Sequence, residues 1–184
     1  MALVCRALGI VTSLLVLAFA SPAKAERAMS CQDFRVALWR AIDDDGSKVA
    51  RPQLDKGAPG FGPTISYEIT EIVGIEGRLI CLRDQIFNFS ATARLSSDPV
   101  ETGIRIFRFT NLAAAAICAL SSPQPTLQEC TSLAETIAHG AMNEFAKGRA
   151  GEFHGYGMGA RLNGESHIEM AAQADRLTFF LYAF

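Results

Sequence analysis

Gly155-Tyr-Gly-Met-Gly-Ala-Arg-Leu-Asn-Gly-Glu-Ser-His-Ile-Glu-Met-Ala-Ala-Gln173 is the stretch on which the architecture turns. Asn163-Gly164 sits between two alternating segments, and a type I′ turn needs positive φ at both central residues, which Asn and Gly tolerate best. A two-residue loop there predicts an antiparallel hairpin in which Leu162 faces Glu165, Ala160 faces His167, Met158 faces Glu169 and Tyr156 faces Ala171. The alternate positions then set Gly159 against Ile168, Gly157 against Met170 and Gly155 against Ala172. Glycines at alternate positions weaken a strand and mark close approach of another element. This glycine face is therefore expected to pack on the alanine-rich helices. The opposite face carries His154, Tyr156, Met158, His167, Glu169 and Gln173. A further turn near Ala174-Asp175 leads to Arg176-Leu-Thr-Phe-Phe-Leu-Tyr-Ala-Phe184, which adds Phe180 and Tyr182 to that face. This last strand is apolar on both sides, so it is expected either at the centre of a sheet or at a contact with a partner.

Upstream lies helical sequence. Asn111-Leu-Ala-Ala-Ala-Ala-Ile-Cys-Ala-Leu120 favours helix through its alanines, and Ile104–Phe109 is read as part of the same element. Thr126-Leu-Gln-Glu129 forms a capping box, and Leu127, Cys130, Ala134, Ile137, Ala138, Ala141 and Phe145 follow at helical spacing. His139 falls on the outer face of that helix. Before the helices, Ile65–Val73 alternates as a half-buried strand, followed by Arg78–Leu82 and Ile86–Leu95. In the third of these, Phe87, Phe89, Ala91, Ala93 and Leu95 are expected to oppose Asn88, Ser90, Thr92 and Arg94. Ser30 caps a first helix carrying Phe34, Ala37, Leu38, Ala41 and Ile42 on one face. Residues 46–64, rich in Gly and Pro, show no periodicity and read as one long loop.

Residues 1–25 have the pattern of a secretory leader. Arg6 precedes an apolar run from Ala7 to Ala20, and Ala23-Lys-Ala25 offers small residues at a cleavage site. Fourteen apolar residues are too few to cross a bilayer core, which takes about 20 in a helix. No later run approaches that length, so no membrane span is expected after leader removal. Four cysteines then remain, Cys31, Cys81, Cys118 and Cys130. An even number in an exported chain implies two disulfides. Cys118 and Cys130 flank a short helix–helix loop and are paired, which leaves Cys31 with Cys81. Export places the protein in the periplasm of a Gram-negative host, or outside the cell otherwise.

The chain has 184 residues and a formal net charge of −2, with 17 basic and 19 acidic residues. Loss of Arg6 and Lys24 with the leader makes it more acidic. Nucleic acids demand clustered Lys and Arg, so they are excluded as partners. Asp43-Asp-Asp-Gly46 lacks the alternating ligands of a calcium loop, since Ala41 and Pro52 stand where carboxylates belong. No nucleophile elbow, zinc motif, phosphate loop or dinucleotide fingerprint occurs, and neither a metal nor a cofactor is expected. Asn88-Phe-Ser90 is a formal glycosylation sequon, but it lies within a strand.

The expected fold is α+β, a single disulfide-braced domain over residues 26–184. It has an N-terminal helix and two antiparallel β-meanders separated by a helical hairpin, forming one sheet or two. The expected function is that of an exported binding or accessory protein without catalytic activity. Its protein partner or small ligand would meet His154, Tyr156, His167, Glu169 and Gln173. A small hydrolase using His154 or His167 with Glu169 is the rival reading. A structural protein whose last strand pairs with another subunit is a third.

Overall fold

The computed structural model describes residues 29–44, 53–57, 63–70, 72–121, 125–147, 156–162 and 166–183. Ten elements follow one another: α1 (Cys31–Asp44), β1 (Gln53–Lys56), β2 (Thr64–Thr70), β3 (Ile75–Leu82), β4 (Gln85–Arg94), α2 (Pro99–Leu120), α3 (Leu127–Ala146), β5 (Tyr156–Leu162), β6 (Ser166–Ala172) and β7 (Arg176–Tyr182). The strands form one antiparallel sheet in the order β1-β2-β3-β4-β7-β6-β5. The two meanders are therefore joined by β4–β7 pairing, from Asn88↔Tyr182 to Arg94↔Arg176. The fold is α+β, as the sequence predicts, and it is built on one sheet rather than two.

Local chemistry explains the helices. The Ser30 hydroxyl accepts from the Asp33 backbone N–H at 3.0 Å and caps α1. Asp98 accepts from the Val100 N–H at 2.8 Å, and Pro99 opens α2 at a position where its missing N–H costs nothing. The Thr126–Glu129 box is closed in both directions at the start of α3. By length and composition α2 could cross a membrane. Its residues Leu112–Ala119 are instead all buried within the protein. A helix apolar on every side needs neighbours on every side, and α2 has α1, α3 and the strands β4 and β7. Alanine side chains are what allow so many elements to approach it.

All three helices cover the same face of the sheet. On that face, Leu79, Phe89, Ile168, Met170, Leu177, Phe179 and Leu181 are almost wholly excluded from solvent. Phe34 of α1 meets Phe89 at 5.6 Å between ring centres, and Phe89 meets Phe179 at 6.4 Å. Arg35 adds a clamp at the edge of α1, its guanidinium 5.2 Å from the Trp39 ring centre and 4.7 Å from that of Tyr67.

Both predicted disulfides are present. Cys31–Cys81 ties the start of α1 to the end of β3, and Cys118–Cys130 ties α2 to α3. Around the first, the Cys31 N–H donates to the Asp84 carbonyl at 2.7 Å and the Ile86 N–H donates to the Met29 carbonyl at 3.1 Å. The β3–β4 hairpin and the head of α1 thus form one clamped unit. Two disulfides are consistent with an oxidising extracytoplasmic compartment.

Four sequence expectations are corrected. First, Gln53–Lys56 forms the edge strand β1 within the segment read as loop, pairing Leu54 with Ile69. Second, the β5–β6 register is one residue away from that of a two-residue turn. Leu162 pairs with Ser166, Arg161 with His167, Ala160 with Ile168, Gly159 with Glu169, Met158 with Met170, Gly157 with Ala171 and Tyr156 with Ala172. Three residues separate the strands, and a shift of one residue exchanges the faces. The glycine column therefore shares the face of His167 and Glu169, not that of the helices. Third, a bulge at Ile80/Cys81 pairs Cys81 with Ile86 and turns Phe87 outward, 45% exposed. Fourth, β7 lies inside the sheet between β4 and β6, so it offers no free edge to another subunit. The leader, the acidic run beyond Asp44 and His154 lie outside the described residues.

Gly77 faces the helical side, where an added Cβ would lie 2.4 Å from Ile69 Cδ1 and 2.5 Å from the Ser90 carbonyl oxygen. Because one neighbour is backbone, Gly77→Ala is expected to destabilise the fold by about 1–3 kcal/mol in urea denaturation. The Cys31→Ala/Cys81→Ala pair is expected to cost more than Cys118→Ala/Cys130→Ala. Their sequence separations of 50 and 12 residues correspond to about 4 and about 3 kcal/mol of chain entropy.

Candidate functional site

With the helices stacked on one side, the other side of the sheet is left uncovered by the described elements. Strand alternation sets its composition: every second residue of each strand points there. His167 and Glu169 of β6 lie beside Tyr182 and Phe180 of β7, paired His167↔Tyr182 and Glu169↔Phe180. All four side chains are half-buried. The His167 and Tyr182 rings are 6.2 Å apart with planes inclined by 22°, and Phe180 and Tyr182 are 6.1 Å apart, inclined by 14°. Three rings therefore form a row across β6 and β7.

The row continues into β4 as polar groups. The Asn88 side-chain amide donates to the Leu181 carbonyl at 3.2 Å and is buried, which withdraws the sequon nitrogen from solvent. The Thr92 and Thr178 hydroxyls hydrogen-bond each other at 3.1 Å. Farther out come ion pairs: Arg78 with Glu68, Arg94 with Glu76, and Arg176 with its neighbour Asp175. On the other flank, β5 places Gly159 across from Glu169 and Gly157 across from Ala171.

The predicted site residues are only partly brought together. His167 and Glu169 share the face, about 7 Å apart along one strand. Phe180 and Tyr182 join them as expected. Gln173 is exposed beyond the end of β6, and its backbone N–H donates to the Arg176 carbonyl at 2.9 Å. That puts it about 20 Å along the strand from His167. Tyr156 and Met158 take register positions with Ala172 and Met170, on the side of the sheet that the helices cover. Asn88, Thr92 and Thr178 are not among the site residues expected from the sequence. Only the β4–β7 pairing, between residues some 90 positions apart, brings them to the aromatic row.

Electrostatics link two members of the row. Desolvation, and then the negative charge of Glu169, hold the Tyr182 phenol above its ordinary value of 10.0. Both effects favour the neutral phenol. No hydrogen bond joins His167 to Glu169 among the described residues, and His167 is instead stacked on Tyr182. Among the described residues no group of three or more His, Cys, Asp or Glu is placed to hold a metal ion.

A second uncovered surface lies on α2. Val100, Ile104 and Phe107 recur at i, i+4 and i+7 and are 71%, 47% and 59% exposed. They make an apolar stripe on the first half of the helix, before it enters the core. Arg105 faces the other way, donating to the Arg94 carbonyl at 2.8 Å and pairing with Glu101.

Spectrophotometric titration is expected to show Tyr182 ionising above pH 10. Glu169→Gln should lower the midpoint without restoring it fully, because desolvation is the larger cause. A raised folded-state value means that the associated stability is present below about pH 10 and is lost as pH rises through Tyr182 ionisation. No family model, no curated protein and no solved structure matches the chain.

Proposed function

We propose that the protein is an exported binding protein whose ligand lies on the uncovered face of the sheet. The observation that carries this reading is the half-buried row His167–Tyr182–Phe180, flanked by Glu169 and by the positions of Gly157 and Gly159. Aromatic rings provide large apolar contact area at low conformational cost, and a few polar groups orient what binds. The two disulfides support an oxidising compartment, and the leader pattern of residues 1–25 supports export. A hydrolase draws less support, because His167 is engaged with a ring rather than with a carboxylate or a nucleophile.

The exposed stripe of α2 favours a second reading, an accessory protein docked on a partner through Val100, Ile104 and Phe107. Helices present such i, i+4, i+7 anchors to apolar grooves. The two readings differ in which variant abolishes binding.

The test is recovery of the natively expressed protein followed by native mass spectrometry. A bound small molecule that is lost in Phe180→Ser/Tyr182→Ser and retained in Phe107→Glu is the expected result. A stoichiometric protein partner lost in Phe107→Glu would instead establish the accessory role. Recovery of an unliganded monomer, together with no response of the sheet residues to any ligand library, would refute both.

A further inference from the structure

The β1 end of the sheet carries a second concentration of chemistry, on the helical side. Lys56 of β1 pairs with Tyr67 of β2, and directly opposed residues of an antiparallel pair share a face. Arg35 of α1 reaches the same place, its guanidinium 4.7 Å from the Tyr67 ring centre and 5.2 Å from that of Trp39. Ile65, two residues before Tyr67 and therefore on the same side, is 40% exposed. Two cations, two rings and an exposed apolar side chain are thus gathered at one corner of the fold.

No described acid answers those cations. Neither Arg35 nor Lys56 enters an ion pair among the described residues. Asp33 lies about 200° round α1 from Arg35 and accepts from the Ser30 hydroxyl. Asp55 and Glu68 adjoin Lys56 and Tyr67 in sequence but take the opposite face, where they accept from Thr70 and Arg78. Asp43 stands eight residues beyond Arg35 in α1, about 12 Å along the axis. The donors of Arg35 are also unused. A guanidinium has five N–H groups, yet here Nη1 reaches Gln32 Oε1 only at 3.5 Å and Nε is buried without a hydrogen-bond partner. The rings, rather than hydrogen bonds, hold this group in place. Such a fork is ready for an acceptor with two coplanar oxygens.

We propose that this corner binds the carboxylate of a small organic acid. Arg35 is its fork, Lys56 its second positive charge, and Trp39, Tyr67 and Ile65 the contact surface for the apolar body of the ligand. The apolar surroundings favour an organic acid over inorganic phosphate, whose sites are built largely from backbone N–H groups at helix N-termini and turns. Arg35 and Trp39 instead lie on the flank of α1, past its first turn. The corner is separate from the uncovered face, so either site stands or falls without the other.

Trp39 is the single tryptophan of the chain, and its emission therefore reports on this corner directly. The test titrates the folded, disulfide-intact protein with hexanoate, its neutral counterpart hexanamide and inorganic phosphate. Tryptophan emission is followed together with the backbone amide shifts of Arg35–Trp39 and Lys56–Gly57. Hexanoate is expected to give a saturable response that weakens with added salt, with hexanamide and phosphate each at least about tenfold weaker. Arg35→Met keeps an apolar stem and removes the fork, and is expected to weaken hexanoate by about tenfold or more. Arg35→Lys keeps the charge but not the fork, and is expected to recover only a minor part of that loss. Lys56→Glu, at an exposed edge-strand position, is expected to weaken hexanoate as strongly, with far-ultraviolet circular dichroism unchanged. It decides the matter where Arg35→Met fails to fold. Equal binding of hexanamide, or indifference of hexanoate to either Arg35→Met or Lys56→Glu, overturns the proposal. Phosphate binding as tight as that of hexanoate overturns the organic-acid assignment, and the absence of any saturable response to hexanoate overturns the site.

Discussion

The pairing of β4 with β7 is the contact on which the rest of the molecule depends. It joins two meanders, each made of neighbours in sequence, into one sheet. On the covered side it sets Phe89 against Phe179, and Phe34 of α1 packs on this seam. On the uncovered side it sets Asn88 beside Tyr182 and Thr92 beside Thr178. The backbone ladder alone would not choose this register. Alternation does, because slipping by one residue would turn one strand's core set, either Phe89, Ala91 and Ala93 or Leu177, Phe179 and Leu181, into water.

What the sequence made legible was local. A capping box, an alanine run and two cysteines flanking a loop each act over a few residues, and each is found where the pattern put it. Cys31–Cys81 followed by elimination rather than by geometry. What stayed hidden was of two kinds. β1 is four residues with three polar side chains at a sheet edge, and it becomes a strand only because β2 offers hydrogen-bonding partners. The hairpin at Asn163-Gly164 was visible, but its loop length was not. The type I′ dipeptide suggested two residues and the strands are separated by three. A two-residue turn does occur at Arg83-Asp84, with φ of 51° and 67°, one residue before the tight turn expected near Asp84-Gln85 between the strand patterns Arg78–Leu82 and Ile86–Leu95.

That single residue of loop length decides the character of the candidate site. With the shorter loop, His167 and Glu169 would share a face with Tyr156 and Met158, a crowded surface rich in functional groups. With the longer one they share it with the register positions of Gly157, Gly159 and Arg161, beside the row of rings on β6 and β7. Strand geometry also explains why His167 and Glu169 do not meet. Residues two apart on one strand lie on the same face but point in parallel, so His167 meets its cross-strand neighbour Tyr182 rather than Glu169.

The seam also imposes an order on the chain as it is made. β4 leaves the ribosome well before β7, the last of the ten described elements. Through the synthesis of α2, α3, β5 and β6, the N-terminal meander has one permanent edge at β1 and one temporary edge at β4, whose hydrogen-bonding groups and apolar side await a strand some 90 residues away. Unpaired edges recruit other chains, and non-local pairings close slowly. The nascent protein is therefore most prone to self-association during that interval, and a chain stopped before Arg176 would remain in it indefinitely. A holding factor that shields an exposed β-edge would matter more to this fold than one that accelerates its helices.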